Sequence, residues 1–483
     1  MGNQPQPLAS APTFEERAKR WKQAEGIKFA SEDVQRSYER RVQMFIDVIT
    51  LKKPERVPVC PAMGFYPFAY AGVTSEEAMY DYGRLAYALG KFHRDFLPDS
   101  TAGTALYGSG KILEILDYKL YRWPGHGVPP HEPYQCIEDE YMRADEYKAL
   151  TKDPTDFFLR NYFPRVFGSL GPLAKLGLFS DVLELPSVGA AMVPFGLPEV
   201  QAALQRILEA GKAAIEWMEA CRSIDRELVS TLGLTGLMGG FTKAPFDIIG
   251  DTLRGTRAIM LDKFRQPAAL LAAMERFVPL AIDAGVDSAK NSRSPVVFIP
   301  LHKGADSFMS TKDFKTFYWP TLKAVILGLI EEGLIPYLFV EGAYNKRLDT
   351  ITDPDIPAAR TIWMFDQTDL REVKKRFTGW ACFGGNLPSS LLIAGNADDV
   401  REHVRRLIDD VGKDGGYILS TGATVDNALA ANLHAMIDTC KEYGVYSRDE
   451  LRDPQRPGES RRAGAGLEGT LARSLSDHGN RGR

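Results

Sequence analysis

The chain has 483 residues, of which 44% are hydrophobic and 25% are charged, and its formal net charge is -4. This length and hydrophobic content allow a large buried core, whereas the nearly balanced charge excludes the global basic field on which nucleic-acid binding relies. The start from Met1 to Pro12 lacks the apolar core of a signal peptide, and no apolar run is long enough to cross a bilayer. We therefore expect a cytoplasmic protein without nucleic-acid or membrane partners.

The cysteines indicate reduced thiols. Their number is odd, their spacing is wide, and no paired-cysteine motif occurs, so neither a disulfide framework nor a zinc knuckle is predicted. They are Cys60, Cys136, Cys221, Cys382 and Cys440. Neither a Walker pattern nor a dinucleotide-binding glycine motif follows a predicted strand, so we expect no nucleotide cofactor.

The first fifty residues read as a helical extension. Thr13 to Glu16 has the form of a capping box and opens a charged helical stretch, and a second helical stretch runs from Ser31 through Ile49. We expect residues 1–50 to form this N-terminal extension, which could cover one end of the main domain or a partner.

Apolar, β-branched runs then alternate with helical patterns, which predicts an α/β fold with a parallel sheet and right-handed crossovers. We assign this main domain to residues 51–451. The predicted strands lie at 57–61, 96–99, 182–185, 232–234, 296–299, 335–340, 361–365, 380–383 and 417–419.

Two segments break the alternation. Residues 108–194 are aromatic, acidic and proline-rich, and we interpret them as an insertion over the mouth of the domain. Residues 452–483 are rich in Arg, Gly and Ser with few large apolar residues, so we expect a disordered tail that cannot bury enough surface to order itself.

Polar residues stand at the ends of several predicted strands. His302 and Lys303 follow the run from Val296 to Leu301, and Glu341 closes the run from Tyr337 to Val340. Histidine is the usual proton shuttle near neutral pH, and a buried acid without a partner is costly, so both side chains are candidates for chemistry. His302 could instead be a hydrogen-bonded core histidine. Asp366, which follows the next predicted strand, is a further candidate, and its alternative role is a helix cap.

Asp247, Asp251 and Arg254 are separated by four and three residues, which predicts that all three share one helix face. They either form an ion network or line the cleft. An ion pair from Asp251 to Arg254 is the simpler alternative.

The segment Gly384-Gly385-Asn386-Leu387-Pro388, with Gly415-Gly416-Tyr417 about thirty residues later, resembles the last two strands of the uroporphyrinogen decarboxylase superfamily. The resemblance runs from about Arg40 to Tyr446 and implies a (β/α)8 TIM-type barrel. The superfamily contains both decarboxylases and methyltransferases that serve corrinoid proteins. In the turn Gly385-Asn386-Leu387-Pro388, which is one residue shorter than the superfamily's Gly-Asn-x-x-Pro turn that it resembles, the amide of Asn386 would tie the loop together, although it could also contact substrate.

The resemblance carries over only part of the family's catalytic set. Asp99 matches an aspartate that points into the cleft from the second strand, and its alternative role is to cap a turn. The first loop, Ala62 to Phe68, has no arginine, the last loop has no histidine, and Asp251 stands where the decarboxylases carry a tyrosine. If the substrate carried many carboxylates, such a site would leave several of them without a charged partner.

The zinc ligands of the related methyltransferases are also missing. Their His-x-Cys pair is matched here by Phe339 and Glu341, and their third ligand falls near Gly422. A metal held by Glu341 with His302 or His126 is a weak alternative, so the metal content stays unknown.

These observations favour a corrinoid-dependent methyltransferase that takes a methyl group from a small aromatic or hydrophobic donor. Asp99, Glu341 or His302 would protonate the leaving oxygen, and cobalamin would come on a separate corrinoid protein. Phe65, Tyr66 and His126, with the polar residues at the strand ends, would contact the donor. A homodimer is left open.

Two alternatives remain. The first is decarboxylation of a porphyrinogen or aromatic acid, with Lys303, Arg254 or Arg347 holding carboxylates. The second is a non-catalytic barrel that binds a tetrapyrrole or corrinoid.

Overall fold

The structure is a computed structural model that describes residues 11–101, 103–447 and 451 of the 483. The first ten residues and the predicted tail from 452 lie outside the described residues. The α-helices are α1 Phe14–Gln23, α2 Glu32–Ile49, α3 Tyr66–Ala71, α4 Ser75–Tyr80, α5 Tyr82–Phe96, α6 Gly110–Leu116, α7 Tyr147–Lys152, α8 Pro154–Phe157, α9 Phe163–Val166, α10 Leu185–Met192, α11 Pro198–Leu232, α12 Pro245–Asp247, α13 Thr256–Arg265, α14 Pro267–Ala289, α15 Thr311–Asp313, α16 Trp319–Glu331, α17 Leu348–Ile351, α18 Leu370–Phe377, α19 Ser389–Ala394, α20 Ala397–Leu407 and α21 Ala430–Tyr443.

Shorter helical turns join these helices. The π-helical turns are Phe158–Tyr162, Ile248–Arg254, Phe314–Tyr318 and Ile408–Gly412. The 3₁₀ turns are Thr104–Tyr107, Ala144–Glu146, Gly168–Lys175, Phe179–Asp181 and Val193–Gly196.

A six-stranded parallel sheet forms the centre of the fold, in the order β11-β10-β9-β8-β7-β6. Its strands are β6 Gly240–Phe241, β7 Val296–Leu301, β8 Ile335–Val340, β9 Ile362–Phe365, β10 Cys382–Leu387 and β11 Tyr417–Thr421. Neighbours in the sheet are consecutive in the chain and are joined through helices. The predicted alternation of strand and helix is thereby confirmed for this half of the chain.

Both faces of the central sheet are buried. Val297, Leu338 and Trp363 pack against the flanking helices, whereas Val296 and Phe339 face a second cluster. The period of two along each strand explains this division. In the second cluster the N-terminal helices α1 and α2 contribute Phe14, Trp21, Tyr38 and Phe45.

The N-terminal extension follows its predicted capping. The Thr13 hydroxyl oxygen accepts a hydrogen bond from the backbone N–H of Glu16, and the Glu16 carboxylate accepts one from the backbone N–H of Thr13, so the capping box that opens α1 is present. Ser31 caps α2 through the backbone of Val34.

Three predicted strands were wrong. Phe96 ends helix α5, and Leu97 takes the left-handed conformation that stops it. Residues 182–185 lead into helix α10, and Leu232 ends the long helix α11. In each case an apolar run at a helix end had the composition of a short buried strand, which periodicity alone cannot distinguish.

The remaining parallel strands do not form one sheet with the central six. β1 Ser100–Thr101 pairs with β5 Thr235–Gly236 as a separate sheet, and the first predicted strand is reduced to a single bridge from Val59 to Leu419. The structure therefore establishes an α/β fold with parallel sheets, but not the expected closed eight-stranded barrel.

The segment read as an insertion has its own elements. β2 Tyr121–Pro124 lies between β3 Gly127–Val128 and β4 Gln135–Cys136 in a small three-stranded sheet. Six residues after β4, the backbone N–H of Met142 donates to the carbonyl of Leu253, which joins this segment to the helical turn Ile248–Arg254. None of the described helices is both long and apolar enough to span a bilayer.

Candidate active site

Three adjacent strands bring polar residues to the same edge of the central sheet. His302 and Lys303 follow β7, Glu341 follows β8, and Asp366 follows β9. The carboxyl ends of parallel strands are where α/β enzymes place their active sites. Nε2 of His302 lies 3.7 Å from Oε1 of Glu341, so the predicted convergence of these two strand ends is observed.

The helical turn before α13 supplies a carboxylate to the same place. Oδ2 of Asp251 lies 2.6 Å from Nδ1 of His302 and 2.5 Å from Nζ of Lys243, and its Oδ1 lies 2.9 Å from Nζ of Lys303. We call Lys243, Asp251, His302, Lys303 and Glu341 the His302 cluster.

Asp247 fixes the backbone beneath this cluster. Its carboxylate accepts from the backbone N–H groups of His302 (3.0 Å) and Lys303 (3.1 Å), and from the hydroxyl of Tyr318 (2.6 Å). Because these bonds hold the peptide that carries both side chains, Asp247 determines where the imidazole and the ammonium group can point. It is fully buried and acts on the cluster through the backbone.

Lys303 is surrounded by acceptors. Besides Asp251, its Nζ atom donates to Thr256 Oγ1 (2.6 Å) and Glu138 Oε1 (3.0 Å). Gly250 makes room for it, since a Cβ atom there would lie 2.7 Å from Cε of Lys303. Glu138 belongs to residues 108–194, the segment that we interpret as an insertion, and this segment therefore reaches the cluster directly.

The protonation states follow from this geometry. Burial by itself would raise the pKa of Asp251, but the hydrogen bond from His302 and the charge of Lys243 hold it well below its ordinary value. Asp251 is therefore ionised, and Nδ1 of His302 carries the proton that it accepts. Burial lowers the pKa of His302, but the bond and charge of Asp251 outweigh it, so the net shift is upward.

The pKa of Glu341 is shifted in the opposite direction to that of Asp251. Burial raises its pKa above the ordinary value, and the charge of His302 only partly offsets that. Its side chain remains 46% exposed and that of His302 remains 35% exposed, so both can be reached from outside. An acid with a raised pKa beside an oriented imidazole can deliver a proton to a bound group and recover it through the histidine.

Asp99 lies in a different setting from the one predicted. It precedes β1 rather than ending a strand, and it is fully buried. Its two oxygens accept from Arg56 at 2.7 and 2.6 Å, and one also accepts from the backbone of Val59 at 2.8 Å. This is a saturated ion pair, and it favours a structural role for Asp99.

Two arginines proposed for substrate carboxylates are already engaged. Arg254 pairs with Asp262 at 2.7 Å, not with Asp251. The predicted shared helix face fails because Ile248–Arg254 is a π-helical turn, in which the wider i to i+5 bonding moves Arg254 away from Asp251. Arg347 is fully buried and donates to the carbonyls of Gly304, Ala305 and Met309.

The aromatic candidates are distributed over other parts of the fold. Phe65 packs edge-on against Phe68 and Tyr107, and Tyr66 packs on Phe92, in buried clusters. His126 stacks on Trp123 and Tyr80, and with Glu76, Asp81 and Glu114 it lines an open acidic groove of about 520 Å³.

Asn386 has the loop-tying role that its motif suggested. Its amide donates to the carbonyls of Asp366 and Thr368, both at 2.9 Å. Asp366 in turn accepts from the backbone of Gly342 at 3.1 Å, and burial raises its pKa. Gly342 has φ +75°, so the turn after Glu341 needs glycine.

Sequence reasoning missed four residues of the site: Lys243, Glu138, Thr256 and Tyr318. Lys243 had a usable signal, since it follows the short strand β6. Glu138, Thr256 and Tyr318 come from an insertion and from helices, where no strand-end pattern marks them.

Among the described residues, no group of three or more His, Cys, Asp or Glu side chains is arranged to hold a metal ion. Of the two histidines considered above as metal ligands with Glu341, His302 lies beside Glu341, whereas His126 stacks on Trp123 and Tyr80.

The comparisons with known proteins concern the family and the fold. The sequence profile described as "Uroporphyrinogen decarboxylase (URO-D)" matches residues 198–443, from the start of α11 to the end of α21. The matched range contains the His302 cluster but not Asp99. A solved structure described as "methyltransferase from Methanosarcina mazei" is similar in fold, with a TM-score of 0.54 and 13% sequence identity over 84% of this chain and 98% of that chain. No curated protein matches the sequence. The profile covers just over half of the chain, and the chain therefore belongs to the uroporphyrinogen decarboxylase family.

Proposed function

We propose that this chain is an enzyme that transfers a methyl group from a small aromatic or hydrophobic donor to a corrinoid. The observation that carries the proposal is the pairing of Glu341, an acid with a raised pKa, with His302, an imidazole fixed by Asp251. Breaking a carbon–oxygen bond places charge on the leaving oxygen, and a positioned acid stabilises that charge by about 10²–10⁴-fold in rate.

In this mechanism the carbon–oxygen bond of the donor breaks with its electron pair on oxygen, which takes the proton of Glu341. His302, protonated on both ring nitrogens, then returns its Nε2 proton to Glu341 and regains a proton from solvent, and the carboxylate of Asp251 stabilises the charged imidazole that does so. A corrinoid carried by a separate protein would supply the reduced cobalt that accepts the methyl group. The partial exposure of Glu341 and His302 is compatible with a group presented from outside.

The charge pattern argues against a substrate with many carboxylates. Arg254, Arg347 and Arg56 are all engaged by acceptors of the chain, and Lys303 already has three acceptors. Removing one partner of a buried ion pair costs about 3–5 kcal/mol, so recruiting these groups would be unfavourable.

A substrate with a single carboxylate is compatible with the charges of the site. Lys243 and Lys303 both reach Asp251, and Glu138 already places one carboxylate on Lys303. Decarboxylation of an aromatic monoacid is therefore the second candidate, and decarboxylation is the type of reaction in the family's name.

We further propose that the parallel strands close into a (β/α)8 barrel spanning residues 51–451. The bridge from Val59 to Leu419, the backbone bond from Asp99 to Val59 and the β1–β5 pair support this closure. Residues 1–50 would be the helical extension, and residues 108–194 an insertion that reaches the site through Glu138. A cytoplasmic location remains a prediction.

The test is anaerobic absorbance spectroscopy of cob(I)alamin with the purified protein and a panel of methoxylated aromatics. We expect methylation of the cobalamin with at least one donor, and its loss in Glu341→Gln. Carbon dioxide released from an aromatic acid, without methylation from any donor, would instead establish the decarboxylase. Binding of a corrinoid without either reaction would favour a non-catalytic role.

A further inference from the structure

Exposed apolar side chains are concentrated in one stretch of the fold. Of the twenty large hydrophobic residues that the described part of the chain leaves exposed, ten lie between residues 179 and 218. Leu185 is 89% exposed and Ile215 is 63% exposed. The ten are Phe179, Val182, Leu183, Leu185, Val188, Met192, Val193, Leu208, Ile215 and Met218.

Helix α11 presents part of this surface as a regular seam. Leu204, Leu208, Gly211, Ile215 and Met218 follow one another at spacings of four, three, four and three. This is the a/d repeat of helices that pack along their length against another helix. Leu208, Ile215 and Met218 are exposed, so the seam from Leu208 onward is not covered by the described part of the chain.

The seam and the segment before it form one patch. Phe179 stacks on Phe195 at 6.1 Å, and Phe195 and Leu204 pack against the same small cluster around Leu173 and Val200. Leu204 is the first residue of the seam. We call the ten exposed residues, with Leu204 and Gly211, the α11 patch.

The size and charge of the patch indicate a protein partner. Its exposed side chains amount to on the order of 1,000 Å², above the apolar patch of a typical monomer and enough for one side of a stable interface. Between residues 179 and 218 five acidic residues stand against two basic ones, Arg206 and Lys212, so this surface has no net positive charge to draw it to anionic lipid.

We propose that a second copy of this chain covers the α11 patch, with the two α11 helices antiparallel across a twofold axis. In a twofold contact each residue pair occurs twice, so the surface must complement itself. Pairing Gly211 with Ile215 of the second copy automatically pairs Leu208 with Met218 of the second copy. Each large side chain then meets either the gap left by glycine or a flexible methionine, whereas parallel helices would place glycine against glycine.

The experiment is sedimentation velocity of the full-length protein over a range of concentrations. We expect a species of about 107 kDa, twice the 53.6 kDa of one chain. The double substitution Leu208→Glu and Ile215→Glu should give the 53.6 kDa monomer at the same concentrations with an unchanged circular dichroism spectrum. Because both side chains are exposed, the substitutions remove no core contact.

Two further variants complete the design. Leu183→Ser with Leu185→Ser should weaken association at least tenfold, while Phe264→Glu, at a 76% exposed residue of α13 outside the patch, should leave the dimer intact. A wild-type protein that is monomeric throughout, or a dimer that survives the α11 substitutions, would overturn the proposal.

Discussion

Nδ1 of His302 and Oδ2 of Asp251 lie 2.6 Å apart, although 51 residues separate them in the chain. The ionised carboxylate fixes the imidazole so that its other nitrogen, Nε2, faces Glu341. Asp251 therefore orients His302, and His302 carries protons to the acid Glu341.

Replacing His302 by Gln should lower kcat for the proposed methyl transfer by about 10²–10⁴-fold, because the proton can no longer return to Glu341. Steady-state kinetics with an active donor would measure this, because each turnover after the first needs Glu341 to be protonated again. His126→Gln is the matched control, since His126 stacks on Trp123 outside the cluster, and it should change kcat little. Equal losses in both variants would contradict the assignment.

The activity should decline as pH rises. Glu341 must be protonated to act as an acid, and burial raises its pKa, so the protonated fraction persists above the ordinary range of a glutamate and is lost at higher pH. We expect kcat/KM to fall on the alkaline side of that raised pKa. In Glu341→Gln this limb should disappear along with most of the activity. A profile that rises with pH would instead indicate a base.

His302 should also make stability depend on pH. Its pKa in the folded protein is raised by Asp251, so its contribution is complete below the unfolded pKa and is lost as pH rises through the folded value. Denaturant titrations of wild type and His302→Gln should therefore differ more near pH 6 than near pH 9. A difference that grows toward high pH would show that the histidine is held neutral.

Asp99→Asn should affect stability more than catalysis. It leaves the guanidinium of Arg56, whose side chain is 15% exposed, beside an uncharged group, and breaking such a largely buried pair costs about 3–5 kcal/mol of the free energy of unfolding. The specific activity of the folded fraction should stay near that of wild type. Loss of activity with unchanged stability would restore the catalytic role that the family resemblance suggested.

Glu138→Gln should loosen the inserted segment. A hydrogen bond to a charged group contributes about 1.5–3 kcal/mol, so weakening the bond to Lys303 should raise KM for the donor by about tenfold with little change in kcat. Glu140→Gln is the control, because Glu140 lies two residues away and pairs with Arg254 instead. A fall in kcat alone would place Glu138 in the chemistry.

The central strands and the residues that follow them were predictable from the sequence. Continuous apolar runs such as Ile335 to Val340 fit a strand buried on both faces, and a polar residue directly after such a run must lie at the edge of the sheet. His302 and Glu341 were found in this way. The same rule failed at Phe96 and Val182, where an apolar run belongs to a helix end or to an exposed segment.

The sequence by itself determined the family, the parallel α/β pattern and the two strand-end residues that face each other. Only the tertiary structure decided which charges were already paired: Asp99 with Arg56, Arg254 with Asp262, and Lys303 with Glu138. The reason is physical. Secondary structure follows from local periodicity, whereas the state of a charged side chain depends on partners from distant segments, at distances of about 3 Å that no local pattern encodes.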